Sequence, residues 1–272
     1  MHHWIYFIDN HSDSVQIILF ASVLFLCWNI ENIAGLALGY NKWKHAFLNA
    51  RFILTNLPGQ FLLGLAFVKV ILWTGVHHFG LLYHLPFMRH YFVLFLASFI
   101  LLDFGEYVYH VIVHKVKRFW MFHSVHHSDK IVDVSTTLRE HPGENIIRLA
   151  FTLLFVFWGG IPFWTLVLRQ IIQVFTTLFA HMNYRLPEKT DKVLSWLFIT
   201  PNLHQVHHHY KQPYTDSNYG DVLSIWDRLF GTLKKLSAEK VVFGVDSFTE
   251  KDDHKSFLSL IKKPFGKYKK PE

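Results

Sequence analysis

Tyr91-Phe-Val-Leu-Phe-Leu-Ala-Ser-Phe-Ile-Leu-Leu-Asp103-Phe-Gly-Glu106-Tyr-Val-Tyr-His110-Val-Ile-Val-His114-Lys115 decides how this chain is read. From Tyr91 to about Val113 it is apolar enough to enter a bilayer, which takes about 20 helical residues. It ends in two histidines four residues apart. On a helix such residues share a face, so both imidazoles can reach one metal ion. Asp103 and Glu106 lie seven and four residues before His110 on that face. A carboxylate there is expected to accept the second ring N–H of a ligating histidine. Asp103 lies too deep to reach the interface, so it needs a buried partner, either a ligand histidine or an arginine such as Arg139 or Arg185.

Working outward, three more stretches are long and apolar: about Val15 to Tyr40, about Phe52 to Val76, and Ile146 to about Ala180. The second contains Asn56-Leu-Pro58-Gly-Gln60, read as a break, and an awkward Lys69. The last is interrupted at Gly159-Gly-Ile-Pro162 and reads as a tight hairpin of two helices, Ile146–Trp158 and Phe163–Ala180. Arg169, Gln170 and Gln173 on its second arm require one face to be buried in protein or wetted. Composition agrees: 51% of the 272 residues are apolar and only 17% charged, against about 25% charged in soluble domains. The expected fold is all-α, a multi-pass membrane bundle of three crossings plus a helical hairpin. Residues 1–90 form N-terminal membrane helices, 91–235 a histidine-box catalytic domain, and 236–272 a basic C-terminal tail, solvated from Lys262 to Lys270. Short helices are expected near Lys189–Thr200 and Val222–Leu229.

Lys and Arg alternate between loops. Segment 1–14 has none and 77–90 has only Arg89, whereas 41–51 has three and 114–148 has six. This places the N-terminus and the 77–90 loop outside, and the 114–148 and 184–272 segments in the cytoplasm. The N-terminus lacks the basic start of a cleavable signal peptide. The single cysteine, Cys27, excludes an intrachain disulfide and a cysteine zinc site. The net charge of +7 sits in segments flanking apolar runs, which fits an anionic membrane surface and not nucleic acid.

Two further clusters fall on the predicted cytoplasmic side: His123-Ser-Val-His126-His127 and His204-Gln-Val-His207-His208, the same H-x-x-H-H spacing 81 residues apart. On a helical turn, positions one and four should face one way and position five should lie beside them, so each box can serve one metal and touch a second. His181 is a ninth candidate. Nine ligands are too many for one ion and suit two with open positions. Carboxylate di-iron bundles use E-x-x-H, which these positions lack. His2, His3, His11, His45, His77, His78, His84, His90 and His254 read as ordinary core or surface histidines. A non-enzymatic protein that stores or transports metal is the alternative, but a transporter would place ligands near the bilayer midplane.

The order H-x-x-x-H, H-x-x-H-H, H-x-x-H-H resembles the fatty acid hydroxylase / sterol desaturase superfamily over roughly residues 95–235. Asp103 to Tyr107, Arg139-Glu-His141-Pro-Gly-Glu144, Phe179-Ala-His181-Met-Asn183, Thr200-Pro-Asn-Leu-His204, Asn218-Tyr-Gly220 and Ile225 to Thr232 are similar to that family's other signatures. The resemblance implies a membrane oxidase with two iron ions, which zinc can replace in a purified sample. It would use O₂ to hydroxylate or desaturate a C–H bond of a lipid. The implied metal ligands are His110, His114, His123, His126, His127, His181, His204, His207 and His208. Asp103, Glu106, Arg139, His141, Glu144 and Asn183 would support catalysis. Some members have a tenth histidine where this chain has Arg185, which leaves His209 or His141 as substitutes. No haem domain is legible, so electrons are expected from a separate electron-transfer protein.

Overall fold

A computed structural model describes residues 2–36, 39–86, 90–246 and 256–267; in the first helix, side chains are described from residue 11 onward, except at residue 13. Arg89 of the loop tally, His254, the side chains of His2 and His3, and the terminal Lys269 and Lys270 lie outside the described residues.

Among the described residues the chain is all helical: α1 (His2–Ala34), α2 (Lys42–His77), α3 (Tyr91–Lys115), α4 (Lys117–His127), α5 (Pro142–Gly159), α6 (Phe163–Ala180), α7 (Glu188–Leu194), α8 (Pro201–His207), α9 (Ile225–Leu229) and α10 (Phe257–Lys262). Ser14–Ala34, Lys42–His84, Tyr91–Lys115 and Phe163–Ala180 are long and apolar enough to cross a membrane. Phe25, Ile33, Leu54, Phe61 and Leu72 are each more than 60% exposed. Such a broad apolar surface is stable against lipid and not against water.

Helix α2 runs straight through the expected break, with Pro58 inside it. Proline removes one helical N–H, but α2 packs along α5 over its length, and the Asn56 amide donates to Glu140 O at 3.2 Å. Tertiary contact outweighs the local cost. Lys69 is exposed, and its flexible stem can carry the charge toward the helix end.

Helices α5 and α6 form the expected hairpin, and it reaches the far end of the bundle. Gly160 caps α5 in the left-handed region at φ 68°. A Cβ on Gly80, itself at φ 119°, would lie 2.3 Å from Gly160 N. The turn thus packs against the loop after α2, and Leu82, Leu102, Val156, Ile161 and Leu166 form a core at that end. Arg169 is 1% exposed. It donates to Gln173 and, at 2.9 Å, to Asp221 Oδ2, which meets the demand that this arm be buried.

At the opposite end α1 and α2 are tied to the later segments. Glu31 Oε1 accepts Val134 N and Asn183 N, each at 2.7 Å, and its other oxygen pairs with Lys42 at 2.8 Å. His45 bridges Asp129 and Asp133. Burial pushes the Asp129 carboxyl up, but Arg139 and His45 outweigh this and hold it at about 2.

The C-terminal stretch is not merely a solvated basic end. Phe257, Leu260 and Ile261, spaced as one helix face, pack α10 onto Phe52 and Val125, with Leu260 fully buried. Basic residues mask an apolar face there that the 3.6-residue period does show.

Gly80→Ala and Gly160→Ala should each destabilise the protein by about 1–3 kcal/mol through backbone strain. Thermal unfolding in detergent should show lowered midpoints for both. Gly64→Ala, inside α2 where a Cβ meets nothing within 4 Å, should not lower the midpoint and should raise it slightly. Wild-type midpoints for both loop variants would contradict the packing of the hairpin turn.

Candidate metal centre

The nine histidines converge at the end of the bundle opposite the hairpin turn. Helix α3 delivers His110 and His114, and the chain bends at Val116 into α4, which brings His123, His126 and His127 back over them. His181 caps α6. Thr200 caps α8 through its hydroxyl, so His204, His207 and His208 occupy a rigid short turn. The donor atoms fall into two groups, each within 4.8 Å: His110, His114, His123, His127 and His207; and His126, His181, His204 and His208.

Each H-x-x-H-H box is therefore divided between the groups, but not as expected. Positions one and five stay together and position four crosses over. At about 100° per residue, residues four apart diverge by about 40° and residues three apart by about 60°. The four-residue pair is closer, and position four is free to serve the other group. The crossing of His126 and His207 interlocks the two sites.

Within the second group four Nε2 atoms meet. His181 lies 3.0 Å from His126 and 2.9 Å from His204, and His204 lies 3.2 Å from His208. In the first group His123 and His127 approach at 3.1 Å. Two imidazoles at right angles on one ion, with metal–nitrogen bonds of about 2.1 Å, would stand about 3.0 Å apart. Burial, with help from neighbouring histidines, holds His126, His127, His204 and His208 well below the ordinary imidazole range. Burial likewise lowers His181 to about 4 and His207 to about 3. They are thus neutral, the form that binds metal.

Four of the far ring nitrogens, those of His110, His207, His181 and His123, are fixed in the manner of ligands. His110 Nδ1 donates to Tyr219 O at 2.8 Å, His207 Nδ1 to Ser217 O at 2.7 Å and His181 Nδ1 to Thr177 O at 2.8 Å. His123 Nδ1 lies 2.5 Å from Glu144 Oε1, and His114 Nδ1 lies 3.4 Å from Asp216 Oδ1. Seven buried ring nitrogens of the cluster have no hydrogen-bond partner: the Nδ1 atoms of His114, His127, His204 and His208, and the Nε2 atoms of His110, His114 and His207. Each such atom costs about 1–3 kcal/mol. The three Nε2 atoms belong to the five-histidine group, where an ion would take up their lone pairs. Converging imidazole donors with free lone pairs fit metal ions.

The six supporting residues divide sharply. Glu144 orients His123, as a metal-site carboxylate should. Asp103 touches no histidine and neither Arg139 nor Arg185. Its oxygens accept Val222 N at 3.1 Å, Leu223 N at 3.3 Å and Trp226 Nε1 at 2.8 Å, so its buried charge anchors the chain beyond the third box. Glu106 is buried, accepts Thr152 Oγ1 at 3.1 Å and faces Arg169 at 4.0 Å. It lines a cavity that opens on His110, His123, His126, His181 and His204.

Arg139 is buried and donates to Val125 O and Ser128 Oγ, fixing the end of α4. His141 caps α5 and bonds Ile261 O at 3.1 Å. Asn183 accepts Leu36 N at 3.0 Å and joins α1 to the turn after α6. No tenth imidazole joins either group among the described residues. His141 is outside both, Arg185 bonds Gln205, and His209 accepts Val242 N. Sequence reading missed Asp216, Ser217 and Tyr219, two of which act through backbone oxygens that carry no sequence signal.

Residues 95–232 match the family model described as fatty acid hydroxylase. The chain belongs to the fatty acid hydroxylase family. It is 27% identical to human alkylglycerol monooxygenase over 71% of this chain and 41% of that protein. It is 32% identical to alkylglycerol monooxygenase of Xenopus tropicalis, over 54% of this chain and 32% of the relative. It is 30% identical to the ornithine lipid hydroxylase OlsE of Rhizobium tropici, over 49% and 39%. The chain thus spans less than half the length of these relatives. No solved structure matches it.

His114→Ala and His208→Ala touch different groups and should each lower the metal content by about one ion per chain. His141→Ala should leave it unchanged. Elemental analysis of the purified variants would show this, and full metal content in either of the first two would contradict the grouping.

Proposed function

We propose that this protein is an integral membrane lipid oxidase that holds two iron ions with nine histidines. It uses O₂ and an outside reductant to hydroxylate or desaturate a C–H bond of a lipid. The observation that carries the reading is the pair of buried, unpaired imidazole groups at one end of a lipid-facing bundle. The names of the relatives, two kinds of lipid-modifying oxygenase, support the substrate class. Residues 91–235 form the catalytic part, residues 1–90 are the membrane helices that brace it, and 236–272 are a basic C-terminal tail whose helix α10 packs on Phe52 and Val125. The metal end faces the cytoplasm, in keeping with the lysine and arginine tally.

Bound at these positions, the iron ions would supply O₂ activation and the oxidising strength to break an unactivated C–H bond. The protein's part is positional. Glu144, Tyr219 O, Ser217 O and Thr177 O hold His123, His110, His207 and His181 with Nε2 aimed inward. The cavity touching both groups is the place for the reacting carbon. The ion pair of Arg169 with Asp221 seals its α6 side from lipid and orders the wall near Glu106. In hydroxylation, one oxygen of O₂ enters the lipid and the other leaves as water, with two electrons and two protons from a separate electron-transfer protein. Zinc, which accepts the same imidazoles, can occupy the sites without turnover.

Mass spectrometry of lipids from cells expressing the protein tests this. Wild type and His84→Ala should give a lipid heavier by one oxygen or lighter by two hydrogens. His207→Ala should give neither. The absence of any such product with wild-type protein, supplied with iron and a reductase, would overturn the reading.

A further inference from the structure

The stretch from Asn218 to Thr232 reads in sequence as a turn, Asn218-Tyr-Gly220, and a helix packing through Trp226 and Phe230. In the structure this turn, with Ser217 before it, supplies the two carbonyls that orient His207 and His110. Asn218 sits in the left-handed region at φ 52°. A Cβ on Gly220 would lie 2.4 Å from Leu223 O and 3.0 Å from Asp227 Oδ2. So tight a turn needs its own support, and Asp227 provides it. Asp227 is fully buried. It accepts Tyr219 N and Gly220 N, each at 2.8 Å, and the Thr232 hydroxyl at 2.6 Å. Both histidines served by this turn belong to the five-histidine group. The orienting bond given for the four-histidine group, from His181 to Thr177 O, comes from α6 instead.

We infer that Asp227 is a positioning residue for one of the two metal positions, that of His110, His114, His123, His127 and His207, and not for the other. Its carboxyl oxygens fix the amides of Tyr219 and Gly220, which sets the Tyr219 carbonyl, which holds His110 by its Nδ1–H. The inference rests on the two-metal reading. Loss of such outer support typically weakens metal binding about 10–100-fold without abolishing the site.

The test is zinc release from the full-length, zinc-loaded protein in detergent, followed with a chelating dye. Wild type should release two ions in two phases, one of which His110→Ala removes. Asp227→Asn should accelerate that same phase about 10–100-fold and leave the other unchanged. Thr232→Val, which removes one donor to Asp227 and nearly keeps the side chain's shape, should accelerate the same phase by less. If Asp227→Asn does not fold, Thr232→Val decides. Equal acceleration of both phases, or of neither, overturns the inference. One ion per wild-type chain overturns the two-metal reading and the inference with it.

Discussion

The structure depends on one constraint: imidazole lone pairs buried from water must face something positive. Nine histidines converge here, six of them with Nε2 atoms about 3 Å apart, and the Nε2 atoms of His110, His114 and His207 have no hydrogen-bond partner. Native proteins tolerate only a few unpaired buried polar atoms per hundred residues. Metal ions held between these donors would resolve the conflict, and much of the structure around the cluster holds the rings still. The bend at Val116, the cap on α8, the carbonyls of Thr177, Ser217 and Tyr219, and the Glu144 carboxylate all act on ring orientation.

The bilayer explains the rest of the architecture. Without water, backbone groups must be satisfied within helices, so the site is built from helix ends where donors can leave the membrane. Helices α3 and α6 deliver His110, His114 and His181 at one end, while the α5–α6 turn locks to Gly80 at the other. Buried charges inside this frame are paired. Arg169 meets Asp221 and Asp103 meets two amides and an indole.

The histidine boxes and the all-helical fold were legible because both are periodic signals. The hairpin was legible from Gly159 to Pro162, and the need to bury Arg169 from its place on an apolar arm. What failed was long-range or involved backbone. Pro58 looked like a break because its compensation comes from α5, a hundred residues on. Asp103 was expected to pair with a ligand histidine or with an arginine such as Arg139 or Arg185, whereas its partners are two amides and an indole about 120 residues away. The division of each box between two groups needed the small difference between spacings of three and four. Leu260 was hidden among lysines.

The most direct test of the central claim is the metal content of anaerobically purified full-length protein, by elemental analysis. About two ions per chain, iron in active protein, is the expected result, with zinc making up the balance where iron was scarce. Less than one ion per chain in an intact, folded sample would contradict it, because nine converging imidazoles, seven of them buried, would then have to be stable with nothing between them.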